Sequence, residues 1–121
     1  FTRRIFEGRA IPVFGDGSSA RDYTFVSDIV DGTVRALDRC EGYRVYNLGG
    51  SGVTTLARLI EVIAEAAGRD AVLDRRENQP GDVSLTAADV TRAERELGYR
   101  PAVGIEEGVR RFVEWYRETR A

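Results

Sequence analysis

The sequence predicts an α/β fold in which short strands alternate with three to four helices. Three observations lead there. Apolar residues recur at helical spacing in separate windows, most clearly at Leu56, Leu59, Ile60, Ile63, Ala66 and Ala67. Short β-type segments, IPVF at 11–14 and VYNL at 45–48, fall between those windows. Glycines 8, 42, 68 and 98 stand just past the helical patterns, where a left-handed residue closes a helix. A length of 121 residues, 42% apolar and 31% charged, suits one small domain.

In chain order, RRIFEG at 3–8 reads as the end of a helix stopped by Gly8. IPVF (11–14) is a short strand, with Pro12 marking a sheet edge because proline cannot donate to a ladder. GDGSS (15–19) is a loop. RDYTFV (21–26) alternates polar with apolar or aromatic residues and reads as a second strand, so the two suggest a hairpin or a strand–loop–strand unit. Ser27 is a suitable N-cap, and Asp28 and Asp31 follow where the helix dipole favours carboxylates. Ile29, Val30, Thr33, Val34 and Leu37 then predict a helix over about 28–40, ended by Gly42. VYNL (45–48) is the next strand, GGSG (49–52) a turn, and Thr54 the N-cap of a helix over 55–67. AVL (71–73) is a brief strand, and the polar stretch 74–85, with Pro80–Gly81, is a surface loop. Ala87 to Leu97 is a short helix closed by Gly98, and Arg100–Pro101 enforces an extended connection. Ile105, Val109, Phe112, Val113 and Tyr116 mark a last amphipathic helix over about 105–119.

Absences narrow the chemistry. There is no His, which excludes histidine-based metal sites and triads. All 18 basic residues are Arg, so Schiff-base chemistry and a phosphate-loop lysine are excluded too. The single cysteine, Cys40, forms no internal disulfide, has no histidine to activate it, and reads as a small buried apolar residue in a reducing cytoplasm. With 20 acidic residues the net charge is −2, which leaves no electrostatic footprint for nucleic acid. No apolar run reaches the length of a membrane span. Residue 1 is Phe and no Met occurs, so the chain reads as a fragment or a cleaved product. These absences point to a piece that binds or supports, with no catalytic residue and no metal ligand of its own.

Three constellations carry possible binding chemistry. A strand, the turn GGSGVTT and a helix form a phosphate-site pattern, but Gly50-x-Gly52-x-x-Thr55 lacks the third glycine that lets helix and strand pack closely. An ordinary turn is the simpler reading. In GDGSSARDYTF, Arg21 has the fork to grip a diphosphate, and from the bare residues pairing with a nearby carboxylate is the simpler role. Phe14, Tyr23 and Phe25 read first as core residues. In the loop holding Arg75, Arg76, Gln79 and Asp82, the acid after Pro80–Gly81 can accept hydrogen bonds from vicinal hydroxyls, and a solvated turn is again the simpler reading. Glu106 and Glu107 are explained by the dipole at a helix start, and Trp115 and Tyr116 by packing.

Taken in order, IPVFGDG, ARDYTFVSDIVDG, VYNLGG, QPGDV, TAADV, ELGYRP and IEEGVRRFVEWY resemble the C-terminal part of NAD-dependent nucleotide-sugar epimerases and dehydratases, the extended short-chain dehydrogenase/reductases. The resemblance runs over nearly the whole chain, and QPGDV with LGYRP and FVEWY is most similar to the UDP-glucuronate 4-epimerase branch. It implies that residues 1–121 are the nucleotide-sugar-binding part of a Rossmann-type enzyme. The N-terminal Rossmann half, absent here, would hold NAD and the catalytic Tyr-x-x-x-Lys, so this piece alone is expected to be inactive. The implied reaction is transient oxidation at the sugar C4 and return of hydride to the other face. On the same basis Pro12 and Phe14 line the uracil pocket, Arg21 contacts the diphosphate, and Asp82 meets the ribose hydroxyls. Gln79 stands where the UDP-galactose branch has a phosphate-binding Arg, a role open to Arg75 or Arg76. GGSGVTT becomes a structural turn, and VYNL joins the Rossmann sheet across the domain boundary. The implied partners are a UDP-sugar, the chain's own N-terminal half and, through helices of that half, a second copy, with neither nucleic acid nor membrane. A 4,6-dehydratase fragment and a non-catalytic nucleotide-binding module are the alternatives.

Overall fold

The computed structural model describes residues 1–39, 41–50 and 52–120. Its helices are α1 (Thr2–Phe6), α2 (Val26–Arg39), α3 (Leu56–Ala67), α4 (Thr91–Leu97) and α5 (Ile105–Arg120). Its strands are β1 (Ile11–Phe14), β2 (Ala20–Asp22), β3 (Val53–Thr55), β4 (Leu73–Arg76) and β5 (Leu85–Thr86). The expected α/β alternation is present, with the short α1 bringing the described helices to five. The expectations for Cys40, and for position 51 of the glycine turn, lie outside the described residues.

Two cores hold these elements. The larger gathers Ile5, Ile11, Val13, Ile60, Ile63, Val109 and Val113, so that α3 and α5 pack on α1 and on one face of β1. The i, i+3, i+4 spacing of the α3 apolar residues makes this face, as the sequence predicts. Thr55 starts α3 by accepting the Arg58 N–H at 3.2 Å, and Gly68, in the left-handed region, closes it. The smaller core centres on Ala93, Leu97 and the fully buried Tyr99, joined by Ala36, Tyr46 and Leu48. Tyr99 satisfies its hydroxyl by donating to the Gly49 carbonyl at 3.0 Å, and burial pushes its pKa up.

Pairing departs from the sequence reading in specific places. β1 and β2 do not form a hairpin: β1 pairs in parallel with β4, while β2 is the middle strand of a separate sheet, antiparallel to β3 and parallel to β5. The strand expected at 71–73 therefore shifts to 73–76, because β1 offers its ladder there and pairing overrides the local polarity of Asp74, Arg75 and Arg76. The second strand stops at Asp22 and not at residue 26. Phe25 packs against Gly108, and its carbonyl already accepts the Asp28 N–H, so α2 starts at Val26 with Ser27 inside it. Thr54 is not the cap of α3; it is buried in β3 opposite Arg21, and the next threonine caps. α4 begins at Thr91 and not at Ala87. Asp89 Oδ1 accepts the Thr91 N–H, and the Ala88 N–H turns to Asp22 instead. Residues 45–48 join no ladder among the described residues, although Tyr46 and Leu48 pack on the smaller core.

One face of α2 stays uncovered. Val26, Val30, Val34 and Leu37, spaced by four, four and three, are all half-exposed or more. No helix among the described residues is long and apolar enough to cross a membrane.

Candidate functional site

Arg21 sits in the middle strand of the three-stranded sheet, opposite Thr54 on one side and Thr86 on the other. A central strand is held on both edges, so the base of this long side chain is fixed. Its guanidinium Nη1 donates to the Ala20 carbonyl at 2.8 Å, and Nη2 donates to Asp82 Oδ1 at 2.7 Å. Asp82 reaches that point from the turn after Pro80–Gly81, closed by the Asp82 N–H donating to the Gln79 carbonyl at 3.3 Å. Two groups 61 positions apart in the chain thus meet, as an ion pair that is only partly exposed.

A cleft of about 320 Å³ opens beside this pair, lined by Phe14, Asp16, Ser18, Asn78, Gln79 and Asp82 among others. The loop at 15–19 forms one wall. It is pinned to the start of α3, where the Leu56 N–H donates to the Ser19 carbonyl at 2.8 Å and the Ala57 N–H to the Gly17 carbonyl at 3.0 Å. Asp16 Oδ1 accepts both the hydroxyl and the N–H of Ser18, which holds the Asp16 carboxyl below its ordinary pKa. Gly15 has positive φ, a backbone conformation that favours glycine, and it lies against the Asn78 side chain of the 77–84 segment.

Of the residues singled out from sequence, Phe14, Gln79 and Asp82 line this cleft and Arg21 reaches it through Asp82. Pro12 is not among the lining residues. It alternates with the buried Ile11 and Val13, so it shares the outward face of β1 with Phe14. Arg75 donates to the Asp16 carbonyl at 3.3 Å, while Arg76 pairs with Asp74 and lies over the Phe14 ring. Tyr23 and Phe25 border a different, apolar hollow of about 310 Å³ with Leu59, Ile63 and Phe112. Glu106 pairs with Arg58. Glu107 is held at a pKa of about 2 by hydrogen bonds from Arg110 and Arg111. Trp115 is half-exposed beside Phe112.

The sequence reading missed Asp22. Its Oδ2 accepts the Gly50 N–H at 2.6 Å and the Ala88 N–H at 3.4 Å, and its Oδ1 accepts the Thr24 hydroxyl at 3.4 Å. One carboxylate therefore ties the end of β2 to the glycine turn and to the segment before α4. An acid at a strand end, beside an arginine and followed by a hydroxyl residue, was the available signal. The same contacts bear on a cofactor. The Gly50 N–H that a dinucleotide phosphate would need is taken by Asp22, and the turn leads into β3 before α3, whose start is already capped by Thr55. The described residues of this turn do not fit a dinucleotide phosphate. Among the described residues no group of three or more His, Cys, Asp or Glu is placed to hold a metal ion.

Comparison with known proteins bears on the family. The family model for GDP-mannose 4,6 dehydratase matches residues 1–112. An uncharacterized protein of Methanocaldococcus jannaschii is 39% identical over 120 residues, covering 99% of this chain and 37% of its own length. UDP-glucuronate 4-epimerase 5 of Arabidopsis thaliana is 38% identical over 135 residues, covering 96% of this chain and 30% of that protein. Among solved structures, the UDP-glucose 4-epimerase of Thermotoga maritima with UDP-glucose superposes at a TM-score of 0.89, with 34% identity over 98% of this chain and 38% of that one. The UDP-glucuronic acid 4-epimerase of Bacillus cereus, in complex with UDP-glucuronic acid and NAD, gives 0.89 at 27% identity, over 97% of this chain and 38% of that one. The chain thus spans less than half the length of the relatives it matches. A model match over almost the entire chain and an α/β fold shared with the epimerase structures converge: the chain belongs to the GDP-mannose 4,6-dehydratase family, among the NAD-dependent nucleotide-sugar epimerases and dehydratases.

Proposed function

We propose that residues 1–121 are the nucleotide-sugar-binding part of an NAD-dependent sugar 4-epimerase acting on UDP-glucuronate or a related UDP-hexose. The observation that carries this is the meeting of Arg21 and Asp82 at the cleft lined by Phe14 and Gln79. A diphosphate carries paired anionic oxygens that match a guanidinium fork. A carboxylate accepts from two vicinal ribose hydroxyls. With no ligand bound, the two groups satisfy each other. Because the pair is partly exposed, exchanging it for ligand contacts is inexpensive. Gln79 offers an amide in the lining, and Phe14 gives the base an apolar wall.

On this reading an N-terminal half supplies what these residues do not. The 121 residues include no Lys for a Tyr-x-x-x-Lys pair, and the Gly50 N–H of their glycine turn is taken by Asp22. NAD, the oxidant for the sugar C4, belongs on this reading to an N-terminal Rossmann half that also covers the apolar stripe of α2. The chain's own residues bind and orient. A firm grip on the nucleotide, away from the reacting carbon, lets the sugar turn within the site and present its other face.

The test is a direct assay. The full-length protein, given UDP-glucuronate and NAD, is expected to form UDP-galacturonate, and Arg21→Ala and Asp82→Ala are expected to weaken UDP binding. Absence of interconversion with this and the neutral UDP-hexoses overturns the epimerase assignment. Release of a 4-keto-6-deoxy sugar nucleotide from a neutral hexose substrate moves the protein to the dehydratases instead.

A further inference from the structure

Beyond the proposed contacts to diphosphate and ribose, the base has only the apolar wall of Phe14. Parallel pairing of β1 with β4 sets Pro12 opposite Asp74 and Phe14 opposite Arg76. Paired residues of neighbouring strands point to the same face, so Phe14 and Arg76 stand side by side, away from the core face that holds Ile11 and Val13. The guanidinium carbon of Arg76 lies 5.9 Å from the centre of the Phe14 ring, and Phe14 lines the cleft. Asp74 braces the guanidinium from its edge, Oδ2 accepting from Nε at 2.9 Å and from Nη2 at 2.7 Å. Among the described residues the Arg76 side chain makes no other hydrogen bond, so the brace occupies its edge and leaves the plane of the group for stacking.

We propose that Arg76 is a base-binding residue: its guanidinium, braced by Asp74 and stacked with Phe14, takes the face of the nucleobase. This deepens the nucleotide reading of the cleft and rests on it. An arginine suits the role because it is planar, delocalised and weakly hydrated, and unstacked bases are commonly met by guanidinium planes. The same charge placed for phosphate recognition would instead point its N–H fork toward the anion, and here that edge is turned to Asp74.

The test compares nucleotides that share the base and differ in phosphate. In the full-length protein, Arg76→Ala is expected to weaken UMP and UDP by the same factor, about fivefold to tenfold, with little dependence on salt. Arg76→Lys, which keeps the charge and loses the plane, is expected not to restore binding. Arg76 is exposed, so both variants are expected to melt with the wild type. Unchanged affinity for both nucleotides overturns the proposal while the nucleotide reading stands. A loss that grows from UMP to UDP and is rescued by lysine also overturns it, because it assigns Arg76 to the phosphates. If the wild-type protein binds neither UMP nor UDP, the nucleotide reading itself fails and this inference with it.

Discussion

Arg21 and Asp82 are each satisfied by the other, so removing one leaves the survivor beside an empty partner position. Arg21→Ala is expected to lower affinity for UDP by about 10- to 100-fold, the range for a charge-assisted bond of about 1.5–3 kcal/mol, read by calorimetry on the full-length protein. Asp82→Asn, which keeps the shape and one acceptor, is expected to lose less than Asp82→Ala. Tyr99 makes the complementary case in the core. Tyr99→Phe removes the donor to the buried Gly49 carbonyl and is expected to cost about 1–3 kcal/mol in denaturant unfolding, with the fold unchanged. Local chemistry of this kind was partly legible from the letters. The reading that Arg21 pairs with a carboxylate came from the bare residues, whereas the nucleotide roles of Arg21, Asp82 and Gln79 came only from the family resemblance. Asp22 did not stand out, because its partners are backbone N–H groups at 50 and 88 that no spacing in the sequence brings near it.

At the scale of elements, the helices were more readable than the strands, although β1 falls where the sequence placed it. Periodicity marked α3 and α5 within a residue or two, with a closing glycine after α3, because a helix is made of its own neighbours. β4 and β2 were misplaced because a strand is made by whatever lies beside it. Close packing of α2 adds a constraint that composition hides. A Cβ at Gly32 would fall 2.6 Å from a Leu48 methyl and 3.0 Å from the Tyr99 ring. Gly32→Ala is therefore expected to destabilise by about 1–3 kcal/mol despite the better helix propensity of alanine, measured as a shift in unfolding midpoint. In α5 the pair of arginines on Glu107 sets a pH dependence. Its pKa is about 2 in the folded chain against an ordinary 4.5, so the stabilisation is complete above 4.5 and is lost as pH falls toward 2. Glu107→Gln is expected to flatten the acid limb of the stability profile across that window.

At the scale of the whole molecule, the uncovered α2 stripe separates a stand-alone module from one half of a larger body. In the full-length protein Val34→Glu and Leu37→Glu are expected to lower the melting temperature, each by the equivalent of about 1–3 kcal/mol, because a charge would be forced against an apolar cover. Unchanged melting would mean that this face meets water. The expectation of a second half comes from the family blocks and not from amphipathic spacing. The two parallel pairings have a kinetic side as well. Ile11 must find Leu73, and Ala20 must find Leu85, each more than sixty positions along the chain. Loops of that length close before any ladder rewards them, so neither parallel ladder forms until both its distant strands have been made. Helices forming early and sheets late, in a slow phase set by contact order, is the refolding order this connectivity imposes.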